Sequence, residues 1–299
     1  MRRIRLRAHE IGARALGVVI AAVALSACAT SVHYAVTRDP PVDVAHPASM
    51  QALHIPSGGV LINGVIYSAA GAGAHPTFVL FHGLPGNEKN LDLAQAVRRA
   101  GWNAVTINYR GSWGSPGAFG FAHTLEDAAA TLAFLRDPAN AARLGIDPAR
   151  IAIGGHSMGG WVTAQTLAHD DHLLGAVMIS AGDIGRGALL ARSNRAAALA
   201  FMNDSRESLA STGEEMTDEL IAPHPDWSLP ALAPLLGAKT LLVLYSEDFV
   251  KDDSVAFLAA AHAAGAAGVT EAYVHTDHSW SDKRIDLQAR IVTWLAGLR

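Results

Sequence analysis

A short apolar segment that runs directly into a glycine-flanked serine constrains this sequence more than any other feature. Residues 150–154 (RIAIG) have the pattern of a buried strand, residues 155–160 (GHSMGG) follow, and helical spacing continues from 158 to 168. A serine between a strand and a helix, with glycine two positions away on either side, predicts a sharp turn with strained backbone angles at Ser157. Such a turn holds the hydroxyl at a helix N-terminus, where free N–H groups and the helix dipole favour negative charge. The motif therefore makes Ser157 the candidate nucleophile.

Short apolar runs alternate with amphipathic stretches from residue 51 onward. Continuous apolar runs such as 77–81 predict strands buried on both faces of a parallel sheet, and the alternation predicts right-handed βαβ units. Residues 184–236 break the rhythm, because they are rich in Ala, Arg, Asp and Glu and contain no obvious buried strand. The sequence therefore predicts an α/β fold with a mostly parallel central sheet, helices on both faces, and a helical insertion at 184–236 over the active site.

Two local patterns add detail to this prediction. The segments 53–55 and 60–67 predict an antiparallel hairpin that opens the domain. Thr124 followed by Asp127 resembles a capping box and predicts that a helix opens there.

The strand, turn and helix around Ser157 resemble the α/β-hydrolase superfamily, and the likeness extends over residues 51–299. Within it, the pattern is most similar to the group that spans dienelactone hydrolases, bacterial esterases and prolyl-oligopeptidase-type domains. The resemblance implies an α/β-hydrolase fold whose triad follows the chain order serine, acid, histidine. His278 lies after the last predicted strand and before the closing helix, which is the family's position for the catalytic histidine. His275 is the alternative, although it lies nearer the end of the strand.

The acid of the triad has several candidates. Asp248 follows the predicted strand at 240–245 and occupies the usual position of the acid in the resembled family. Glu247 is an alternative, because the family commonly has glycine where this chain has a tyrosine two positions earlier. Asp183 is another, because some relatives carry the acid after the preceding strand. Asp277 is too close in sequence to the histidine to face its ring.

An oxyanion hole needs two preorganised N–H donors. One is expected from the backbone of Met158, directly after the nucleophile. The other is expected from the loop at 82–86 (HGLPG), which resembles the superfamily's H-G-x-x-G loop and points to the N–H of Leu84. Pro85 has no N–H to donate.

These residues together imply a serine hydrolase that cleaves a carboxylic ester or related acyl bond through an acyl-enzyme, with neither a metal nor an organic cofactor. A peptidase or acyltransferase on the same triad is the first alternative. Small esters are favoured over peptides, because related peptidases usually carry a large extra domain for which this chain has no room. A non-catalytic, lipid-anchored binding protein is the second alternative. Trp113 and Phe119 could wall a substrate pocket, and Met202 and Trp227 of the insertion could touch the substrate.

The N-terminus is typical of an exported bacterial lipoprotein. Five arginines precede an apolar run at 15–25, which is too short to span a membrane and fits a signal peptide. Residues 25–28 (LSAC) resemble a lipobox, which implies cleavage before Cys28 and attachment of acyl chains to this residue. The expected organisation is a signal peptide at 1–27, lipidated Cys28 and a tether to residue 50, and a hydrolase domain at 51–299.

The remaining partners follow from charge and cysteine content. Cys28 is the only cysteine, which leaves no intrachain disulfide and no cysteine-based metal site. The net charge of −4, or −8 without residues 1–27, gives no basic face for a nucleic acid. The expected partners are a small-molecule ester and a membrane in the bacterial envelope, at the periplasmic face of the outer membrane.

Overall fold

An eight-stranded sheet forms the centre of the computed structural model, which describes residues 34–298. The strands are β1 (Ser49–Ser57), β2 (Val60–Ser68), β3 (His75–Phe81), β4 (Asn103–Ile107), β5 (Ile146–His156), β6 (Gly175–Ile179), β7 (Leu241–Ser246) and β8 (Val269–Val274). Their spatial order is β1-β2-β4-β3-β5-β6-β7-β8. Strand β2 pairs antiparallel with β1 and β4, and every other pair is parallel. The prediction of a mostly parallel sheet is confirmed.

The opening hairpin is also present. Strands β1 and β2 pair along their whole length, from Ser49 opposite Ser68 to Ser57 opposite Val60. The turn between them consists of two glycines with φ angles of 54° and 80°. Two-residue hairpin turns need this left-handed backbone, which glycine adopts at little steric cost.

Helices cover both faces of the sheet, as the sequence predicts. After a helical turn at residues 34–37, the helices are α1 (Leu91–Arg99), α2 (Phe121–Arg136), α3 (Pro138–Leu144), α4 (Met158–His169), α5 (Ile184–Ser193), α6 (Arg195–Asp204), α7 (Gly213–Ile221), α8 (Ala233–Leu236), α9 (Lys251–Ala263) and α10 (Arg284–Gly297). Apolar side chains of α1 and α10 form one core layer with the sheet. Those of α2, α4 and α9 form the other layer, together with the insertion. Burial on both faces explains why central parallel strands such as β6 and β7 are almost entirely apolar, whereas the edge strand β8 is largely exposed.

The predicted capping box at Thr124 is wrong. Helix α2 begins at Phe121, and Thr124 lies inside it, where its hydroxyl donates to the carbonyl of Phe121 at 2.7 Å. The first two N–H groups of the helix instead donate to the carboxylate of Glu219, which belongs to α7, at 2.8 Å each. Asp127 is fully buried and accepts hydrogen bonds from the backbone N–H and the Nε of Arg110, both at 2.7 Å. A carboxylate distant in sequence caps the helix, which frees Asp127 for this ion pair.

The insertion at residues 184–236 is helical and lies against the active-site edge of the sheet. It contains α5 to α8 with two short 3₁₀ turns between α7 and α8. Backbone hydrogen bonds tie it to the loop after β4, including Trp113 N–H to the Ser208 carbonyl at 2.9 Å and Ala210 N–H to the Gly111 carbonyl. These hydrogen bonds therefore hold the middle of the insertion to the core, in addition to the chain connections at its two ends.

The features predicted for the N-terminus lie largely outside the described residues. The signal peptide and Cys28 lie there entirely, and so does the first part of the predicted tether. Of the rest of the tether, residues 34–37 form a helical turn in which Ala35 is buried and accepts a hydrogen bond from the Nε of Arg99 at 2.6 Å. Within residues 34–298, no helix has the length and hydropathy that crossing a bilayer would require.

Candidate active site

Ser157 sits in a strained turn between β5 and α4. Its backbone angles are φ 58° and ψ −122°, a region that non-glycine residues rarely occupy. The flanking glycines make this turn possible, because a Cβ at Gly155 would lie 2.0 Å from the carbonyl oxygen of Gly159. A Cβ at Gly159 would likewise lie 2.1 Å from the carbonyl oxygen of Phe81. The predicted elbow is therefore present, and its glycines are sterically required.

Asp248 and His278 form a hydrogen-bonded pair at the same edge of the sheet. Asp248 follows β7 and His278 follows β8, so the parallel pairing of these strands brings the two loops together. The Nδ1 atom of His278 lies 2.9 Å from Oδ2 of Asp248, whose side chain is 3% exposed. Burial acts to raise the pKa of Asp248, but hydrogen bonds from His278 and Ser246 outweigh it and the pKa falls below its ordinary value. The ionised carboxylate holds the imidazole proton on Nδ1, which leaves Nε2 able to accept a proton.

The other candidate carboxylates are engaged elsewhere. Glu247 pairs on the surface with Lys251, with 2.6 Å between Oε2 and Nζ. Asp183 caps helix α5 by accepting from the backbone N–H of Arg186 at 3.2 Å. Asp277 accepts from a backbone N–H four residues further on. Among the described residues, the structure joins one of the three candidate carboxylates, that of Asp248, to the histidine ring.

The alternative histidine lies outside this pair. The Nδ1 atom of His275 lies 3.3 Å from the hydroxyl of Tyr273, in an exposed contact at the end of β8. Its hydrogen-bond partner is therefore a surface phenol, whereas the ring of His278 has a buried carboxylate.

The loop at residues 82–86 passes directly beside the nucleophile. A Cβ at Gly83 would lie 3.0 Å from the Cβ of Ser157, so any larger residue there would press against the serine. The buried ring of His82 holds the loop in place, because its Nδ1 lies 2.8 Å from the Gly83 carbonyl oxygen. Gly86 packs on the same ring, because a Cβ there would lie 2.2 Å from Nδ1. Burial lowers the pKa of His82 to about 4, so the ring is neutral near pH 7 and its Nδ1–H donates to the carbonyl.

The predicted oxyanion donors are the backbone N–H groups of Met158 and Leu84. Met158 is the first residue of α4, and the N–H groups of a first turn have no partner within their own helix. Leu84 follows Gly83 in the neighbouring loop. Met158 is thus adjacent to Ser157 in the chain, and Leu84 is adjacent to the glycine that packs against Ser157.

His156 is a site residue that the sequence reasoning did not single out. Its Nε2 atom lies 2.7 Å from the backbone carbonyl oxygen of His278, and the two rings are 4.6 Å apart. Burial, assisted by the charge of His278, lowers the pKa of His156 to about 4. The neutral ring therefore donates to this carbonyl and links the loop of His278 to the residue before Ser157. The signal available in the sequence was its position directly before Ser157 in the glycine-flanked motif.

An apolar cavity of about 520 Å³ opens between α5, α6 and α7. It is lined by Leu84, Phe121, Ile184, Gly187, Leu190, Ala191, Ser193, Asn194, Ala197, Ala198, Phe201, Met202 and Leu220. Two of its lining residues are close in sequence to residues that contact Ser157. Leu84 follows the glycine that touches Ser157, and Ile184 lies two residues after Gly182, whose N–H donates to the Ser157 carbonyl at 3.3 Å. This volume is typical of pockets for small organic ligands.

Of the four suggested pocket residues, Met202 lines this cavity. Phe119 is instead buried in the core against Phe121, with 5.9 Å between the ring centroids. Trp227 packs against the buried ring of Trp161. The indole of Trp113 donates to the Pro85 carbonyl at 2.7 Å and so braces the loop beside the serine.

Comparisons with known proteins agree with this architecture. Solved structures with this architecture include an esterase from Pyrobaculum calidifontis and brefeldin A esterase, which is described as a bacterial homologue of human hormone sensitive lipase. Another is EstE1, a thermostable carboxylesterase from a metagenomic library. Their sequence identities to this chain are 16%, 20% and 19%, with TM-scores of 0.62, 0.60 and 0.60. The alignments cover 90%, 94% and 92% of this chain and 89%, 85% and 96% of the respective structures. At these identities the likeness shows a common fold.

The fold places the protein in the class of α/β hydrolases. Its site contains a strained serine and a histidine–carboxylate pair. The family model described as alpha/beta hydrolase fold matches residues 81–282, about two thirds of the chain. The chain therefore belongs to the alpha/beta hydrolase family and is a hydrolase. No curated protein matches the sequence.

Proposed function

We propose that the protein hydrolyses carboxylic esters through an acyl-enzyme, with Ser157 as nucleophile, His278 as general base and Asp248 as the acid that orients it. The observation that carries this proposal is the 2.9 Å contact between His278 and Asp248 at the sheet edge where the strained serine stands. His156 supports it further, because its hydrogen bond to the His278 carbonyl ties the histidine loop to the elbow.

The reaction follows from these positions. As the hydroxyl of Ser157 attacks the ester carbonyl, its proton passes to Nε2 of His278. The ionised carboxylate of Asp248 stabilises the imidazolium, and the backbone N–H groups of Leu84 and Met158 stabilise the oxyanion. His278 then returns the proton to the departing alcohol, which leaves the acyl group on the serine. Water repeats the sequence, and the acid is released.

The apolar cavity supports an ester that carries an apolar chain. Its wall includes Leu84, whose backbone N–H is an expected oxyanion donor, and continues along the insertion helices. An apolar chain placed there leaves water when it binds, which favours binding roughly in proportion to the area buried. The cavity side chains supply no charged group that would bind a charged substrate portion.

Labelling with a fluorophosphonate probe tests the nucleophile and base. The full-length protein, purified in detergent, should label, whereas Ser157→Ala and His278→Ala should not. Asp248→Asn should lower kcat for p-nitrophenyl acetate by about 10⁴-fold, because the imidazole loses its correct tautomer. Glu247→Gln is the matched carboxylate control and should leave kcat unchanged. A folded parent that neither labels nor hydrolyses esters would contradict the proposal and favour a binding role.

Ester and peptide panels separate ester hydrolysis from the other acyl chemistries. We expect turnover of short and medium-chain esters and none of aminoacyl or peptide amides. Transfer of the acyl group to an added alcohol in preference to water would instead indicate an acyltransferase.

We also propose that Cys28 carries a lipid anchor that holds the enzyme in the bacterial envelope, at the periplasmic face of the outer membrane. The signal-like segment and the residues 25–28 support this proposal. Metabolic labelling with a palmitate analogue should modify the parent and not Cys28→Ala, and the variant should leave the membrane fraction. Equal membrane recovery of both would contradict it.

A further inference from the structure

A continuous chain of buried polar side chains leads from Trp280 to the carboxylate of Asp248. The Nε1–H of Trp280 donates to Oγ of Ser180 at 3.0 Å, and the hydroxyls of Ser180 and Ser246 are 2.6 Å apart. The Ser246 hydroxyl then donates to Oδ2 of Asp248 at 2.7 Å. Trp280 and Ser246 are fully buried, and Ser180 is 1% exposed. We call Trp280, Ser180 and Ser246 the donor chain.

The protons of the donor chain have one possible direction. An indole N–H can only donate, and an ionised carboxylate can only accept. Each hydroxyl has a single proton, and that of Ser246 is committed to Asp248, so Ser180 donates to Ser246. All three protons therefore point toward the carboxylate. Hydrogen bonds aligned in this way polarise one another in a buried environment, which strengthens the last bond of the series.

Two members of the donor chain have strained backbone conformations, which cost conformational energy. Ser180 has a φ of 43° and Trp280 a φ of 59°, and positive φ is rare for residues with bulky side chains. Such conformations persist where surrounding contacts enforce them and cluster at functional sites. Ser157 is another residue with positive φ among the described residues.

The donor chain also closes a ring with the catalytic pair. Ser180 follows β6, Ser246 ends β7, and Trp280 lies two residues after His278 in the loop that follows β8. The same loop is thus held to Asp248 twice, once through the imidazole and once through the indole and the two hydroxyls.

We propose that Trp280, Ser180 and Ser246 are positioning residues that aim Oδ2 of Asp248 at His278 and moderate its basicity. Oδ2 is the atom that accepts from both Ser246 and His278. Removing the donors would leave more negative charge on this oxygen, which would then hold a proton on the imidazole more strongly. This inference rests on the proposed triad. The lowered pKa of Asp248 agrees with it, since the hydrogen bond from Ser246 is among the causes that oppose burial.

The other titratable groups around His278 and Asp248 are the same in the parent and in every donor-chain variant. The ring of His156 lies 4.6 Å from that of His278, and Arg284 contributes to lowering the pKa of His156. Glu247 pairs with Lys251 on the outer side. No substitution in the donor chain removes any of these charges.

The test follows the acid limb of kcat/KM against pH for a short ester, measured on the full-length protein. Ser246→Ala should move this limb toward higher pH by about half a unit to one unit, because a hydrogen bond to a charged oxygen is among the stronger ones. Trp280→Phe should move it in the same direction by less. Ser254→Ala is the matched control, because Ser254 is fully buried in α9 and its hydroxyl has no hydrogen-bond partner within residues 34–298. The control should leave the limb in place whatever it does to stability.

A double variant separates action through the donor chain from general loss of packing. In the Ser246→Ala background, Trp280→Phe should add no further shift, since the connection to Asp248 is already broken. An unmoved limb in Ser246→Ala, or additive shifts in the double variant, would overturn the proposal.

Titration of the His278 ring by NMR keeps this result separate from the proposed function. The ring signal is assigned with His278→Gln, and its midpoint should move upward in Ser246→Ala whether or not the protein turns over an ester. A parent without Ser157-dependent activity contradicts the triad, whereas an unmoved midpoint contradicts the role of the donor chain.

Discussion

A side chain placed at Gly187 should shorten the ester chain that the enzyme prefers. Gly187 lies in α5 and lines the apolar cavity, and a Cβ built there meets no atom within 4 Å. A larger residue can therefore grow into the cavity without displacing the backbone. Glycine inside a helix is also unfavourable compared with alanine, so the substitution should not reduce the stability of α5.

The size of the effect follows from the apolar surface removed from water. Each buried methylene contributes about 0.8 kcal/mol, which corresponds to about fourfold in kcat/KM. In the parent, kcat/KM should rise by about this factor per methylene until the chain fills the 520 Å³ cavity. Gly187→Leu introduces four carbons into this space and should displace three to four methylenes of substrate. The ratio of octanoate to acetate turnover should then fall by roughly 100-fold.

The assay compares p-nitrophenyl acetate, butyrate, hexanoate and octanoate, with alkyl acetates as the series that varies the alcohol. Gly187→Ala should keep the parental profile, because a methyl group occupies little of the cavity. Ala196→Leu is the matched control, since Ala196 is exposed on α6 and does not line the cavity. Activity on acetate should survive in every variant. An unchanged octanoate-to-acetate ratio in Gly187→Leu, in both series, would refute the assignment of the cavity to the substrate chain.

Three further predictions concern stability. Asp127→Ala should lower the free energy of unfolding by about 3–5 kcal/mol in denaturant titrations, because it removes the buried carboxylate that pairs with Arg110 and leaves this guanidinium with the exposed carboxylate of Glu126. A loss below about 1 kcal/mol would contradict a stabilising ion pair. Burial lowers the pKa of both His82 and His156 to about 4 from 6.5, so the unfolded chain takes up their protons first as the pH falls. Stability should therefore be complete above about pH 6.5 and decline toward pH 4, with a shallower decline in His156→Gln; identical slopes would argue against a buried neutral ring. Glu219→Ala should cost about 1 kcal/mol, as expected for loss of a helix cap, and a neutral result in thermal melts would show that water replaces the carboxylate.

The sequence predicted the structure best at positions where a local physical requirement allows few residue types. Glycines at 155 and 159 predicted the turn at Ser157, because any Cβ there meets a backbone atom. Continuous apolar strands predicted a parallel sheet, because both faces are covered. The resemblance to α/β hydrolases assigned the acid and the histidine to the loops after two successive strands, with Glu247 and Asp183 as alternatives to Asp248.

Local patterns misled where a distant residue supplied the interaction. Thr124 and Asp127 have the spacing of a capping box, yet a carboxylate of the insertion caps the helix and Asp127 pairs with Arg110. Phe119 has the sequence position of a pocket wall, but it packs into the core. In both cases a contact between segments far apart in sequence outcompetes the local preference.

The sequence by itself determined the fold class, the strained serine and the short set of residues from which a triad could be drawn. Only the tertiary structure decided which of three carboxylates reaches the histidine, because that choice depends on how two loops on neighbouring strands approach each other. It also decided the cavity and the donor chain, whose members come from separate strands and helices. Periodicity and glycine spacing are properties of neighbouring residues, whereas aimed side chains and enclosed volumes arise only when distant segments pack.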